Sequence, residues 1–133
     1  MITYNASSPD ELALVNAAWY FGFFFSGRDD DNFINVVYQN ITNKDSYPMS
    51  FKFELLNILE FSSSRKWMTV IVWTPNKKIK VMIKGADSII IERLKEPNSE
   101  LVNKTKDFLN KFAEVGLWTL LIAEKEISDQ EYF

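Results

Sequence analysis

Between Glu60 and Asp87 lie the side chains best suited to hold a ligand: the ring of Phe61 and the cationic ends of Arg65, Lys66 and Lys84. They flank the two ends of what reads as a single β-hairpin, two strand-like runs joined by a Pro75-Asn76 turn. A ring offers a flat apolar surface and the cations attract anions. No metal-ligand cluster, nucleophile triad or glycine-rich phosphate loop competes with this stretch. The absence of cysteine and histidine removes zinc sites, disulfides, thiol chemistry and imidazole acid–base catalysis by inventory.

The elements that must position these residues belong to an ordinary folded chain. At 133 residues, 47% hydrophobic and 25% charged, it is long enough for one domain with its own core and too apolar for disorder. A net charge of -3 argues against a dedicated nucleic-acid binder, which concentrates basic residues on one face. The apolar runs Ala17 to Phe25 and Val115 to Ala123 are too short or interrupted to span a bilayer. Met1-Ile2-Thr3-Tyr4 leads straight into polar sequence and does not read as a signal peptide. Both ends read as cut into continuing structure. The expectation is a single soluble, cytosolic domain over residues 1–133, a fragment of a longer chain.

Ser8-Pro9-Asp10-Glu11 opens a helix expected from Pro9 to Tyr20, with Ser8 as N-cap, Pro9 at the first position and Glu11 as capping-box partner. Gly22 ends it. Strands are expected at Phe23 to Arg28 and Phe33 to Tyr38, around a polar Asp29-Asp30-Asp31-Asn32 turn whose contiguous aspartates lack the alternate spacing of a calcium loop. After a polar loop from Asn40 to Pro48, alternation runs from Phe51 through Phe53 and Leu55 and on along the same face to Asn57, Leu59 and Phe61. Further strands are expected at Met68 to Trp73 and Ile79 to Ile83, forming a central antiparallel meander. A short helix is expected from Asp87 to Leu94 and a longer one from Ser99 to Val115, its apolar face marked by Leu101, Thr105, Phe108, Leu109 and Phe112. Leu117 to Ala123 reads as a last strand, and Ser128-x-x-Glu131 as another capping box. The class is α+β, a mainly antiparallel sheet flanked by helices.

Four strings occur together in this order: Ser8-Pro9-Asp10-Glu11-x-Ala13-Leu14-Val15 with Ala17-Ala18; Leu56-x-x-Leu59-Glu60-Phe61-x-Ser63-x-Arg65-Lys66-x-Met68-x-Val70-Ile71-Val72; Lys84-Gly85-Ala86-Asp87; and Gly116-Leu117-x-Thr119-Leu120. The set resembles the nucleotide-binding domain of P-type ATPases. Its SPDE and KGAD forms are similar to the P4 branch, the phospholipid flippases. The resemblance covers nearly the whole chain, and the joint order of the strings makes it far more specific than any one of them.

The resemblance implies a domain that holds ATP by its adenosine end while a separate phosphorylation domain supplies the aspartate that takes the γ-phosphate. That Asp-Lys-Thr-Gly-Thr string is absent here, so the domain alone is expected to bind nucleotide without turning it over. The parent would be a phospholipid-translocating enzyme, with Mg²⁺ ligands, an actuator domain and the lipid path outside this chain. The resemblance places Phe61 on adenine, where stacking is worth roughly 1–3 kcal/mol; its alternative is a core strand residue. Lys84 would sit in the adenine pocket, near the ring or the phosphates, against the alternative of a solvated strand end. Glu11 would accept from the adenine amino group, a role that competes with helix capping for one carboxylate. Lys66 and Arg65 would face the phosphates, against the alternative of surface charges. The family carries Arg between the Leu and Thr of its Gly-Leu-Arg-Thr-Leu string, and here the position is Trp118. Trp67 also stands where flippases often have Arg. Trp118 could offer a second stacking surface, and these departures also motivate a second reading, a degenerate flippase-like module serving a structural or regulatory role, such as those fused to guanylate cyclases, with weak or no ATP binding. A stand-alone scaffold that binds no nucleotide is a third, weaker one.

Overall fold

The computed structural model describes residues 3–43 and 45–133. Six strands follow in sheet order β1-β2-β3-β4-β5-β6, each neighbour in sequence also a neighbour in the sheet, with the two middle helices inserted between β5 and β6. The chain divides into two compact units. One runs to Leu55 and takes in the turn Thr74–Lys77; the other comprises Leu56–Trp73 and Lys78–Phe133.

In the first unit, α1 spans Pro9–Tyr20 as expected, with Pro9 in its first turn and the Ser8 hydroxyl accepting from the Glu11 amide at 3.3 Å. It lies against β1 (Phe23–Arg28), where Trp19 meets Phe24 edge-on at 6.3 Å. β1 pairs antiparallel with β2 (Phe33–Tyr38), and β2 with the first half of β3 (Met49–Leu59). The Asp29 turn between β1 and β2 is held by its own carboxylate. Asp29 Oδ1 accepts from the Phe33 amide at 2.9 Å and the Asp31 amide at 3.1 Å, and Oδ2 lies 3.2 Å from Lys52 Nζ. The Phe33 amide bond, helped by Lys52, holds the Asp29 carboxyl below the usual carboxylate range. A depressed folded-state value stabilises the fold above the unfolded carboxylate pKa and is lost as pH falls through the folded one. Asp29→Asn is therefore expected to melt below wild type at pH 7, with the gap closing as pH falls below about 4, where the unfolded carboxyl protonates. Melting curves across that range check it, and a gap that stays constant sinks the assignment.

The second unit holds the deepest burial. Antiparallel β4 (Trp67–Trp73), β5 (Ile79–Gly85) and β6 (Leu121–Ile127) carry Val72 and Ile79, and short helix α2 (Asp87–Ile91) adds Ile90, each at 2% exposure or less. These are β-branched residues, which pack well on a pleated surface. α2 stops at Ile91, short of the expected Leu94, because the Arg93 and Leu94 amides bond three residues back, to Ile90 and Ile91, as closing turns. α3 (Glu100–Glu114) starts on the Ser99 cap as expected. On the face marked from the sequence, Thr105 and Leu109 are half-buried while Leu101, Phe108 and Phe112 stay exposed.

The last strand is a correction: it covers Leu121–Ile127, not 117–123. Leu117 is used instead to close α3, its amide bonding Phe112 O at 2.9 Å while the Gly116 amide bonds Ala113 O at 3.0 Å. That pair of bonds is a Schellman stop, and Gly116 supplies its left-handed residue at φ 77°. The ladder to β5 begins only at Leu121, opposite Gly85. The capping box at Ser128 and Glu131 forms as read, ahead of α4 (Asp129–Tyr132).

Candidate functional site

Phe61, Arg65, Lys66, Lys84 and Trp118 belong to the second unit; Glu11 belongs to the first. Glu11 sits in the first turn of α1, where its Oε2 accepts from the Ser7 hydroxyl at 2.6 Å. The carboxylate is thus already engaged at a helix start, where negative charge is favoured.

Phe61 lies in the segment joining β3 to β4 and is 62% exposed, so its ring is not a core strand residue. The segment is shaped by one tight turn. The Lys66 amide donates to Ser62 O at 2.7 Å, and the Arg65 amide donates to the Ser62 hydroxyl at 3.2 Å. Lys66 itself is exposed and adopts φ 64°, a left-handed conformation that turns the chain into β4. Arg65 behaves differently from Lys66. Its guanidinium donates to the Glu60 carbonyl, its Nε is buried with no hydrogen-bond partner among the described residues, and its Cζ lies 5.8 Å from the Trp67 ring.

Lys84 is half-buried near the end of β5, directly opposite Met68 on β4 and Ile122 on β6. Residues directly opposite in antiparallel strands share a face and neighbours alternate, so Met68 and Lys84 face one way and Trp67 and Gly85 the other. Gly85 shows why this string needs glycine. A Cβ there would stand 2.7 Å from Lys66 O and 2.8 Å from Trp67 Cβ. The close approach brings the Lys66 backbone against the strand that carries Lys84. Gly85→Ala is expected to cost about 1–3 kcal/mol, the usual range for forced overpacking, and to lower the melting temperature by several degrees. A denaturant titration measures it, and an unchanged midpoint would show that the two strands separate freely.

Trp118 lies in the stretch between α3 and β6 and is 94% exposed. It therefore packs on little of the chain, and its ring faces solvent. Two residues escaped the sequence reading as site neighbours. Trp67 carries a second guanidinium, Arg93, at 4.1 Å from its ring centroid, and Arg93 Nη1 donates to Ile89 O at 2.7 Å. No local pattern links positions 65, 67 and 93; only the fold brings them together. Among the described residues no group of acidic, histidine or cysteine side chains is arranged to hold a metal ion, and no helix is long and apolar enough to cross a membrane.

A family model described as P-type ATPase, cytoplasmic domain N, matches residues 4–133. Phospholipid-transporting ATPase ID of Mus musculus is 43% identical over 130 residues, 98% of this chain and 10% of that protein. Phospholipid-transporting ATPase 10 of Arabidopsis thaliana is 37% identical over 131 residues, 98% of this chain and 11% of that protein. The chain thus spans about a tenth of the length of the curated relatives it matches.

Proposed function

Because the chain belongs to the P-type ATPase cytoplasmic N domains, we propose that it is the adenosine-holding part of a larger phospholipid-translocating ATPase. Phe61 stacks on adenine, and Lys84 and Lys66 meet the ring edge and the phosphates. The domain carries no chemistry of its own. It raises the effective concentration of the γ-phosphate at an aspartate in the phosphorylation domain, where Mg²⁺ ligated elsewhere in the parent assists transfer. The lipid path, the actuator domain and the membrane anchor lie in the rest of the parent, so this part faces the cytosol.

The observation that carries this reading is the exposure of Phe61, a large ring left in solvent on a turn bordered by Lys66 and braced against the strand of Lys84. An apolar ring so placed gains most of its favourable burial from a ligand. The test is a titration of the domain with ATP, followed by amide shifts at Phe61 and Lys84. Saturation in the millimolar range, corresponding to about 4 kcal/mol, supports the reading, and a flat response to about 10 mM, well beyond that regime, rejects it. The solvent-facing indole of Trp118, at the position of the family arginine, favours the second reading, a structural or regulatory module with weak binding. The two readings part at the same titration.

A further inference from the structure

We propose that Trp67, approached by the guanidiniums of both Arg65 and Arg93, is the positioning residue that fixes the Phe61 turn against α2, and with it the geometry between Phe61 and Lys84. The inference rests on the nucleotide reading above for its functional meaning, and on the contacts of the second unit for its structure. The exposed Phe61 ring does not anchor its own segment. The bonds from Lys66 to Ser62 and from Arg65 to Ser62 shape the turn but join only its own residues. Fastening has to come from outside it.

Arg65 supplies the first link. Its guanidinium donates to the carbonyl of Glu60, the residue preceding Phe61, and so ties the far end of the turn to its start. Its Nε is buried and its Cζ lies 5.8 Å from the Trp67 ring. Trp67 is the second link: half-buried, paired with Gly85, and approached by Arg93 at 4.1 Å. Planar guanidiniums stack on indole and keep their hydrogen bonds while doing so. Arg93 closes the chain of contacts by bonding Ile89 O in α2. α2 begins at Asp87, just beyond Lys84 and Gly85. The path from Glu60 through Arg65, Trp67 and Arg93 to Ile89 therefore joins the segment of Phe61 to the segment of Lys84. Trp67 lies on the face of the sheet opposite Lys84.

Arg93→Gln and Trp67→Leu break this path, while Trp67→Phe keeps a ring in it. Arg93 has a side chain 41% exposed, so its replacement leaves the core intact even if Trp67→Leu fails to fold. Adenosine and ATP affinities are measured for each, together with hydrogen exchange at the Lys66 amide, whose bond to Ser62 reports opening of the turn. The expected result is a loss of about fivefold for adenosine and ATP alike, with faster Lys66 exchange and recovery in Trp67→Phe, as for one cation–π contact removed. A loss confined to ATP assigns the guanidiniums to phosphates and overturns the inference. Unchanged Lys66 exchange, with or without a lower melting temperature, overturns it as well. Wild type that binds neither ligand defeats the nucleotide reading alone, and the exchange measurement still decides whether Trp67 braces the turn.

Discussion

Phe61→Ala is expected to weaken adenosine and ATP binding by a similar factor, roughly 5- to 150-fold, while the melting temperature stays close to wild type. Base–aromatic stacking is worth roughly 1–3 kcal/mol per ring, and each 1.4 kcal/mol is about a factor of ten in affinity. Adenosine and ATP present the same purine, so losing the ring removes the same increment from both. The fold should be indifferent because the ring is 62% exposed and the turn around it is shaped by the Ser62, Arg65 and Lys66 bonds, not by burial of Phe61. Phe61→Tyr keeps a stacking face and should bind within about threefold of wild type, a difference below about 0.7 kcal/mol. Calorimetric or amide-shift titrations of the three proteins measure this. Equal affinity for Phe61→Ala and wild type would remove the ring from the site. A melting temperature several degrees lower would show that the ring packs on the protein instead of waiting for a purine.

How much of this could be read from the chain depends on the range over which each feature is determined. The start of α1 was legible because Ser8, Pro9 and Glu11 act within one turn, and the structure keeps the same bounds, Pro9–Tyr20. The hairpin of β4 and β5 was legible from alternation and a polar turn, although its ladder runs on to Gly85, two residues beyond the run of clear alternation. β6 was misplaced because the apolar run from Leu117 looks like strand, whereas Gly116 spends Leu117 on closing α3 and the register with β5 admits pairing only from Leu121. Apolar pattern does not report register. At the candidate site, the strings around Phe61 and Lys84 name two segments that the fold brings close, with the Lys66 backbone against Gly85. The contacts of Arg65 were not legible, since they depend on a carbonyl and an indole that only the folded turn presents. Arg93 was invisible for the same reason: it comes to Trp67 through the packing of α2 on β5 and β6.

Trp118→Arg is expected to raise ATP affinity by about 10- to 150-fold and to leave adenosine binding unchanged. A hydrogen bond to a charged group contributes about 1.5–3 kcal/mol, and the phosphate chain is the part of ATP that adenosine lacks. The replacement should be tolerated, because the Trp118 side chain is 94% exposed and lies in the stretch between the Schellman stop of α3 and the first paired residue of β6. Swapping a solvent-facing indole for a guanidinium there removes little buried apolar area. The gain should shrink as salt rises from about 0.01 to 0.15 M, since screening over about 30 to 8 Å weakens an exposed charge pair. Two outcomes would count against it. An equal gain for adenosine would mean that arginine meets the base and not the phosphates. No gain for either ligand, in a protein that melts normally, would place position 118 beyond reach of the nucleotide and shift the balance to the structural-module reading, in which an indole at this exposed corner meets a protein surface and no ligand phosphate.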